Sequence, residues 1–539
     1  MSEQHYIITL KKGANKDEIF DEMSRDTSED SSVDSNVVPD RKVDTVDSRS
    51  SSKRVFEMAL TDEEANKLRN DPRVGDLNLD FKWDDDWMDY ELNPRTSWVR
   101  NSTSTSRNNW GLLRHTETTN GWTTANSAHA TRTTYDGHLD GTGVDYVHQE
   151  GSVPRPTHEY MEDASGTSRF QSFQWNTLPN MSGMQTVNYN TNGGSHATHC
   201  AGTAIGKGVG WATNAKVYAL PTSSVSRAYW FDAIKEFHKA KTPDPTTGVK
   251  RPTVVSASWG YKALFDDITA TYFRGYNAYN TVRDQRLGMI GQATWNGFQV
   301  VYRFNAQIYN LMAEVEEMQD EGVIYCKSAG NQGQKLCGPT DQDYNNYITR
   351  STYTGGINSG QPVYYNRGAG NLGPDTIVVG NLDSAFYSSG STNEATQTSS
   401  DKGPRVDVWV AGTNIVSGGT SSDSYYYNTS GTSMSTPQLA GMTCLLLEAN
   451  PGMTPAQVRA WWQNNSQTGL LYQGPTNEGN YSGNPTQGGG TTSQDLADLL
   501  NFYGNSRSLQ NGPNRIAYFP YNAHASKSFN MNLSGPISF

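Results

Sequence analysis

Asn428-Thr429-Ser430-Gly431-Thr432-Ser433-Met434-Ser435-Thr436-Pro437, followed by Gln438-Leu439-Ala440-Gly441, decides how this chain is read. A serine lies between small residues just ahead of an apolar run, Leu439 to Leu447, that reads as a buried helix. Small residues at Gly431 and Thr432 let a backbone approach a bound peptide. Pro437 comes early enough in the helix for its missing N–H to cost little. Far upstream stands His196-Ala197-Thr198-His199-Cys200-Ala201-Gly202, with two histidines three residues apart.

The first segment resembles the nucleophile motif of the subtilisin-like serine proteases (subtilases), and the second resembles the motif carrying that family's base. A serine hydroxyl needs a base within hydrogen-bond reach and a third group that fixes the base's tautomer. The family's chain order is acid, histidine, serine. The resemblance implies Ser433 as nucleophile and His196 as general base, with His199 as a packing residue on the same helix. Lys327-Ser328-Ala329-Gly330-Asn331 resembles the strand-end motif whose asparagine stabilises the oxyanion, so Asn331 takes that role beside the Ser433 N–H. Ser258-Trp259-Gly260 resembles the segment that pairs with substrate as an added β-strand and lines the pocket for the side chain preceding the cleaved bond. Ser399-Ser400-Asp401-Lys402-Gly403-Pro404 matches a further stretch, and the resemblance covers roughly residues 110–465.

The acid motif departs from the family pattern. Gly141-Thr142-Gly143-Val144 leads into Asp145-Tyr146-Val147-His148-Gln149-Glu150-Gly151-Ser152, which puts Glu150 in the aspartate's place and Gly151-Ser152 where Thr-Gly is expected. His148 and Gln149 fall at apolar positions of a central strand, where unpartnered polar groups cost kcal/mol each. Three readings stay open: Glu150 serves as a longer acid, Asp145 or another carboxylate takes over, or the triad is broken. In a subtilisin, removing the acid lowers kcat by about 3 × 10⁴, less than removing the serine or histidine. Retained charge at Glu150 therefore implies slow proteolysis. Ala197 for a glycine and Ala411 for a proline are milder departures.

Composition narrows the alternatives. The 539 residues suffice for one large domain with appendages, and a net charge of −12 from 43 basic and 55 acidic residues argues against a nucleic-acid partner. Hydrophobic content of 35% with 51 glycines and 29 tyrosines describes a loop-rich protein with an ordinary core. No apolar run approaches the roughly 18 residues of a membrane helix, so no membrane partner is expected. The start, Met1-Ser2-Glu3-Gln4-His5, has no secretory pattern. Cys200, Cys326, Cys337 and Cys444 follow no metal-ligand spacing, and Cys326 and Cys337, which could bridge, read as free thiols. No calcium-loop spacing appears, so neither metal nor cofactor is expected.

Tyr6–Leu10, Val55–Leu60 and Val74–Leu79 read as strands, with helices over Asp17–Met23 and from a Thr61 cap to Leu68. This order resembles the subtilase inhibitor pro-domain over residues 1–80, split by a Ser- and Asp-rich insert, 24–52, whose composition predicts mobility. Residues 81–109 form a connector with Asp84-Asp85-Asp86, and Trp110-Gly111-Leu112-Leu113-Arg114 resembles the family's leading segment of the catalytic domain, 110–465. Strands at Lys216–Leu220, Pro252–Ser258, Val323–Tyr325 and Thr376–Val379 alternate with helices at Tyr229–Lys241 and Asn305–Asp320. That alternation predicts a doubly wound α/β fold with a mainly parallel sheet. An insertion after Gly260, spanning 261–320 with Tyr272, Phe273, Tyr276, Tyr279 and Trp295, reads as a lid, a docking surface or a plain elaboration. The Gly- and Asn-rich extension, 466–539, holds a weak helix from Leu496 to Phe502 and an extended, loosely packed end.

Phe231-Asp232-Ala233-Ile234-Lys235-Glu236-Phe237-His238, Arg251-Pro252-Thr253-Val254-Val255 and Pro362-Val363-Tyr364-Tyr365-Asn366-Arg367-Gly368 resemble subtilases encoded by large tailed bacteriophages, particularly those of marine cyanobacteria. The resemblance implies host cytoplasm and then the virion as location, or simply cytoplasm for a cellular enzyme. Two functions follow: a serine endopeptidase acting on peptide or protein substrates and held by its own pro-domain, or a silent subtilase fold serving other virion proteins.

Overall fold

The computed structural model of the protein describes residues 3–23, 43, 45–79, 110–116, 118, 139–163, 165–223, 225–226, 229–260, 262–264, 268–274, 276–277, 303–305, 309–350, 362–368, 372–387, 391, 393–476 and 507–519. The connector 81–109, the insert residues 24–42, Tyr279, Trp295, the helix expected at Leu496–Phe502 and the chain end after Phe519 lie outside the described residues.

The N-terminal unit comprises β1 (Gln4–Leu10), α1 (Lys16–Met23), β2 (Thr45–Asp47), β3 (Val55–Leu60), α2 (Asp62–Arg69) and β4 (Val74–Leu79). Its strands form a separate sheet in the order β2-β3-β1-β4. Thr61 caps α2 reciprocally with Glu64, as its sequence implies. The expectation of a mobile insert through Ser52 needs correction at its far end, because β2 pairs with β3 and Arg49, Ser51 and Ser52 are buried. The reason is charge: Arg49 places its guanidinium 2.6 Å from Glu314 and 3.1 Å from Asp232, a contact invisible to local composition.

The next segment holds α3 (Trp110–Arg114), β5 (Asp145–Glu150), β6 (Phe170–Gln171), α4 (Ser195–Ile205), β7 (Lys216–Pro221), α5 (Asp232–Lys239) and β8 (Thr253–Ala257). The insertion contributes β9 (Lys262–Leu264), β10 (Ile268–Phe273), β11 (Tyr276–Asn277) and β12 (Arg303–Asn305), then α6 (Tyr309–Asp320). The helix expected from Asn305 thus starts at Tyr309. Beyond it come β13 (Ile324–Ser328), β14 (Tyr347–Arg350), β15 (Val363–Tyr364), β16 (Ile377–Phe386), β17 (Glu394–Thr396), β18 (Val408–Ala411), β19 (Ile415–Gly418) and β20 (Tyr426–Thr429). The chain closes with α7 (Thr432–Ala449), α8 (Pro455–Asn465), β21 (Gln467–Thr468) and β22 (Arg515–Ile516).

The main sheet runs β21-β22-β18-β16-β13-β8-β5-β7-β6, with β17 on β16. Its central pairings, β7 to β5, β5 to β8, β8 to β13 and β13 to β16, are all parallel. Helices cover both faces. Ile324, Cys326 and Val379 pack with the α7 residues Leu439, Met442 and Leu446, whereas Tyr325, Val255 and Trp259 pack with Phe231, which caps the start of α5, and with Leu311 of α6. The fold is therefore the doubly wound α/β arrangement. Strand order reverses between β5 and β8, and ligands of such sheets bind outside the carboxyl ends of the strands at that reversal.

The C-terminal extension corrects another expectation. β22 joins the main sheet through Trp409↔Ile516, and Phe519 is buried against Trp211, Trp461 and Trp462. A short segment with no periodicity packs well when aromatic partners far away in sequence receive it.

Candidate active site

The sheet's reversal point gathers the candidate residues. Glu150 ends β5, Ser258 follows β8, Asn331 follows β13, and Ser433 is the second residue of α7. His196 begins α4, which packs on α7 through Cys200, whose Sγ donates to the Ser433 carbonyl at 3.2 Å. Glu150, His196, Ser258, Asn331 and Ser433 are all buried.

Pro437 lies six residues into α7 rather than in its first turn. It removes the N–H that would have bonded the carbonyl four residues earlier, which is that of Ser433. Two neighbours take up this carbonyl: Cys200 Sγ, and Ser258 Oγ at 3.0 Å. The proline therefore leaves the Ser433 carbonyl free to tie its backbone to α4 and to the segment after β8. Gly431, at φ 155° and ψ 166°, adopts a conformation essentially restricted to glycine. A methyl group there would stand 3.6 Å from Asn331 Nδ2 and 3.7 Å from the Ser433 nitrogen, so both donors border the space glycine keeps open. Asn331 is oriented by its other end, since Oδ1 accepts from Thr432 N–H and Oγ1, each at 3.0 Å. Asp401 steadies the following loop by accepting from Gln332 and Gln334 N–H, each at 2.9 Å.

The acid side is less well aligned. Glu150 Oε1 accepts from the Ser258 N–H at 2.9 Å, and Oε2 lies 3.2 Å from His196 Nδ1. That second contact has ion-pair distance and shifts the protonation of both groups, but its alignment falls outside good hydrogen-bond geometry. Burial opposes its charge, yet His196 and the Ser258 N–H hold the Glu150 carboxyl below its ordinary value. Burial likewise opposes the His196 imidazolium, but the Glu150 carboxylate beside it raises its pKa above the ordinary value. The Ser433 hydroxyl donates to the Ser258 carbonyl at 3.2 Å. A hydroxyl has one proton to give, and this geometry offers it the Ser258 carbonyl as acceptor.

Asp145 is committed elsewhere: at the opposite end of β5 it pairs with Arg251 at 2.5 Å and Lys241 at 2.7 Å. The reading that moves Asp145 into the triad is therefore corrected. His148 and Gln149, expected to be costly, are satisfied at one atom each, by Tyr146 O–H at 3.1 Å and the Trp230 carbonyl at 3.1 Å, while His148 Nε2 and Gln149 Oε1 are buried without a hydrogen-bond partner. Burial pushes the His148 pKa down to about 4, so it stays neutral. His199 packs against Tyr427 and touches the Ile415 carbonyl at 3.1 Å, as a packing residue would. All four cysteines are buried and free of disulfides.

Ser258, Trp259, Gly260, Asn331 and Ser433 line one cleft of about 260 Å³, including its opening to solvent. Two more side chains share this neighbourhood and were quoted in the sequence without a role. Lys327 also lines the cleft, and Cys200 Sγ lies 3.8 Å from both His196 ring nitrogens. The lysine is conspicuous as a charge in an otherwise apolar strand, and the cysteine stands one helical turn from the histidine. Among the described residues, Glu150, His196 and Cys200 form the one cluster whose ligand atoms could share a metal ion. A metal there would occupy the imidazole that the acid orients.

A doubly wound sheet with serine, histidine and carboxylate gathered at its reversal point is the architecture of an α/β hydrolytic site. Comparison with known families matches residues 126–504 to the subtilase family, more than two thirds of the chain, and the protein belongs to that family. It is similar to the serine protease AprX of Bacillus subtilis, at 34% identity over 127 residues, covering 18% of this chain and 28% of that protein. Subtilisin of Bacillus pumilus is 30% identical over 185 residues, covering 31% and 53%. A cuticle-degrading serine protease of Arthrobotrys oligospora is 24% identical over 338 residues, covering 59% and 62%. The chain spans less than two thirds of the length of each of these relatives. The crystal structure of a cold-adapted subtilisin-like serine proteinase aligns at TM-score 0.40 and 17% identity, covering 67% of this chain and 93% of that one.

Proposed function

We propose that the protein is a slow serine endopeptidase. Ser433 attacks the peptide carbonyl, His196 takes its proton, Glu150 holds the imidazole, and Asn331 Nδ2 with the Ser433 N–H receives the oxyanion. The observation that carries this reading is the Glu150 Oε2 to His196 Nδ1 approach of 3.2 Å without hydrogen-bond alignment. The acid is present and charged, but it fixes the tautomer poorly. A substrate N–H arriving at the Ser258 carbonyl would displace the Ser433 hydroxyl and turn its proton toward His196.

The N-terminal unit fits the role of an inhibitor-like pro-domain. Arg49, Ser52, Lys53 and Arg54 seat it on Asp232 of α5 and on Glu314, Glu316 and Glu317 of α6. Peptide or protein substrates follow from the family. The phage resemblance adds a host-cytoplasm and then virion location, with virion proteins as partners.

The competing reading is a silent subtilase fold acting as a virion component. The Ser433 proton committed to Ser258 favours it. Labelling with a fluorophosphonate separates the two: the protein reacts and Ser433→Ala does not. No labelling over hours at alkaline pH would leave only the silent fold.

A further inference from the structure

β13 alternates between two faces. Ile324 and Cys326 enter the core beneath α7, while Tyr325 packs with Trp259 and Phe231 on the other side. Lys327 follows on the Trp259 side, with its ammonium 5.7 Å from that indole ring. It is fully buried. Its Nζ donates to the Trp259 carbonyl, to Ser328 Oγ at 3.0 Å and to the Ser328 carbonyl at 3.4 Å. All these acceptors are neutral, and no carboxylate among the described residues lies within ion-pair distance. A lysine is seldom fully buried unless it is paired, and an uncompensated buried charge is costly. A prop for the Trp259 carbonyl alone needs no such charge. Lys327 is among the residues lining the cleft with Ser258, Gly260, Asn331 and Ser433, and its Nζ is held on Trp259 and Ser328, two further lining residues, so a buried amine without a carboxylate partner stands in the wall of that cleft.

We propose that Lys327 is the specificity-determining residue of this cleft and selects a glutamate or aspartate as the residue whose carbonyl Ser433 attacks. The incoming carboxylate replaces a neutral carbonyl as acceptor and supplies the missing countercharge. This rests on the reading of Ser433 as nucleophile, which decides which side chain enters the cleft. The charged groups facing Lys327 are Glu150 at the end of β5 and Asp401 in the loop after β17; burial outweighs them and lowers the amine to about 7. A glutamate side chain ionises above about 4.3. Selection is therefore strongest between these two values and fades as pH rises past the upper one, although a bound carboxylate moves that limit upward.

The test uses the full chain carrying Ser433→Ala, so that binding is read without turnover. Two otherwise identical N-acetylated tetrapeptide amides, ending in Glu or in Gln, are titrated by calorimetry at pH 6 and pH 9. At pH 6 the Glu peptide should bind about tenfold more tightly, the scale of one charge-assisted hydrogen bond. At pH 9 the ratio should fall several-fold, and Lys327→Met should bring it to one at both pH values, while Lys327→Arg keeps a preference for Glu. Equal binding at pH 6, binding of neither peptide, or a preference that survives Lys327→Met overturns the assignment. If Lys327→Met does not fold, the pH comparison on the Lys327 protein still decides. Fluorophosphonate labelling of Ser433 reports separately on the catalytic reading, so a labelled protein with no Glu preference overturns the lysine's role alone.

Discussion

The nucleophile side and the acid side of this site are built to different standards. Around Ser433 the contacts are well defined: Gly431 keeps open the space bordered by Asn331 Nδ2 and the Ser433 N–H, Thr432 orients Asn331, and Cys200 with Ser258 holds the Ser433 carbonyl. Around Glu150, the carboxylate is well anchored to the Ser258 N–H but reaches His196 off-axis. The segments that match the family pattern residue for residue give the better geometry. The segment that departs from it, by one methylene and a rearranged Gly151-Ser152, gives the poorer one.

The largest effect expected from this contrast is on the well-ordered side. Asn331→Leu removes one of two oxyanion donors, and the loss of such a donor costs about 10² to 10³ in kcat. Steady-state cleavage of a fluorogenic peptide should show that loss mainly in kcat. A loss below tenfold would mean that the nucleophile side is ordered without supplying the transition-state stabilisation assigned to it.

The acid side should respond in the opposite direction. Replacing Glu150-Gly151-Ser152 by Asp-Thr-Gly should raise kcat about ten- to a hundredfold, within the roughly 3 × 10⁴ that an acid contributes in a subtilisin. Glu150→Asp alone should recover less, because Ser152 fills the space against Gly194 at the start of α4 and sets where the histidine helix begins. An unchanged rate in the triple variant, with wild-type labelling of Ser433, would show that the off-axis contact is not the limiting defect.

A smaller, several-fold effect belongs to pH. Because the Glu150 carboxylate raises His196 above its ordinary value, less of the imidazole is neutral and able to act as a base at a given pH than for a free histidine. Turnover should therefore rise with pH through the alkaline range, with a half-maximum above 6.5. A plateau already reached at pH 6 would contradict this and imply that the Glu150 carboxylate is not holding the imidazolium.

The same contrast explains what could be read from sequence. β8 and the first half of β13 are legible as short apolar runs, β5 only by its place after Gly141-Thr142-Gly143-Val144 because most of its residues are polar, and α2 because Thr61 and Glu64 form a capping box. The α8 start, Thr454-Pro455-Ala456-Gln457, carries the same kind of cap and was readable by the same rule. Residues 43–52 and 507–519 were not legible, since their order depends on Glu314, Asp232 and Trp409, all distant in the chain. Among the site residues, Glu150 could be placed by counting from the glycines. Its misalignment could not, because an angle at an imidazole depends on where α4 packs. Lys327 was visible as a lone charge in β13, but its lack of a countercharge is a property of the assembled cleft.

The seam at Arg49 has a kinetic consequence. The guanidinium is shared between two acids on different helices, Asp232 and Glu314, with Lys235 bridging Asp232 and Glu317 beside it. Leaving such a seam means rehydrating several charges together, so departure rather than arrival sets the exchange. While the chain is continuous through residues 81–109, the N-terminal unit is also a tethered ligand, whose return is an intramolecular step governed by an effective concentration rather than by its concentration in bulk. A unit that lets go is recaptured before it diffuses away. One cut in the tether turns the same contacts from a standing state into a decaying one, whose lifetime is set by the seam alone.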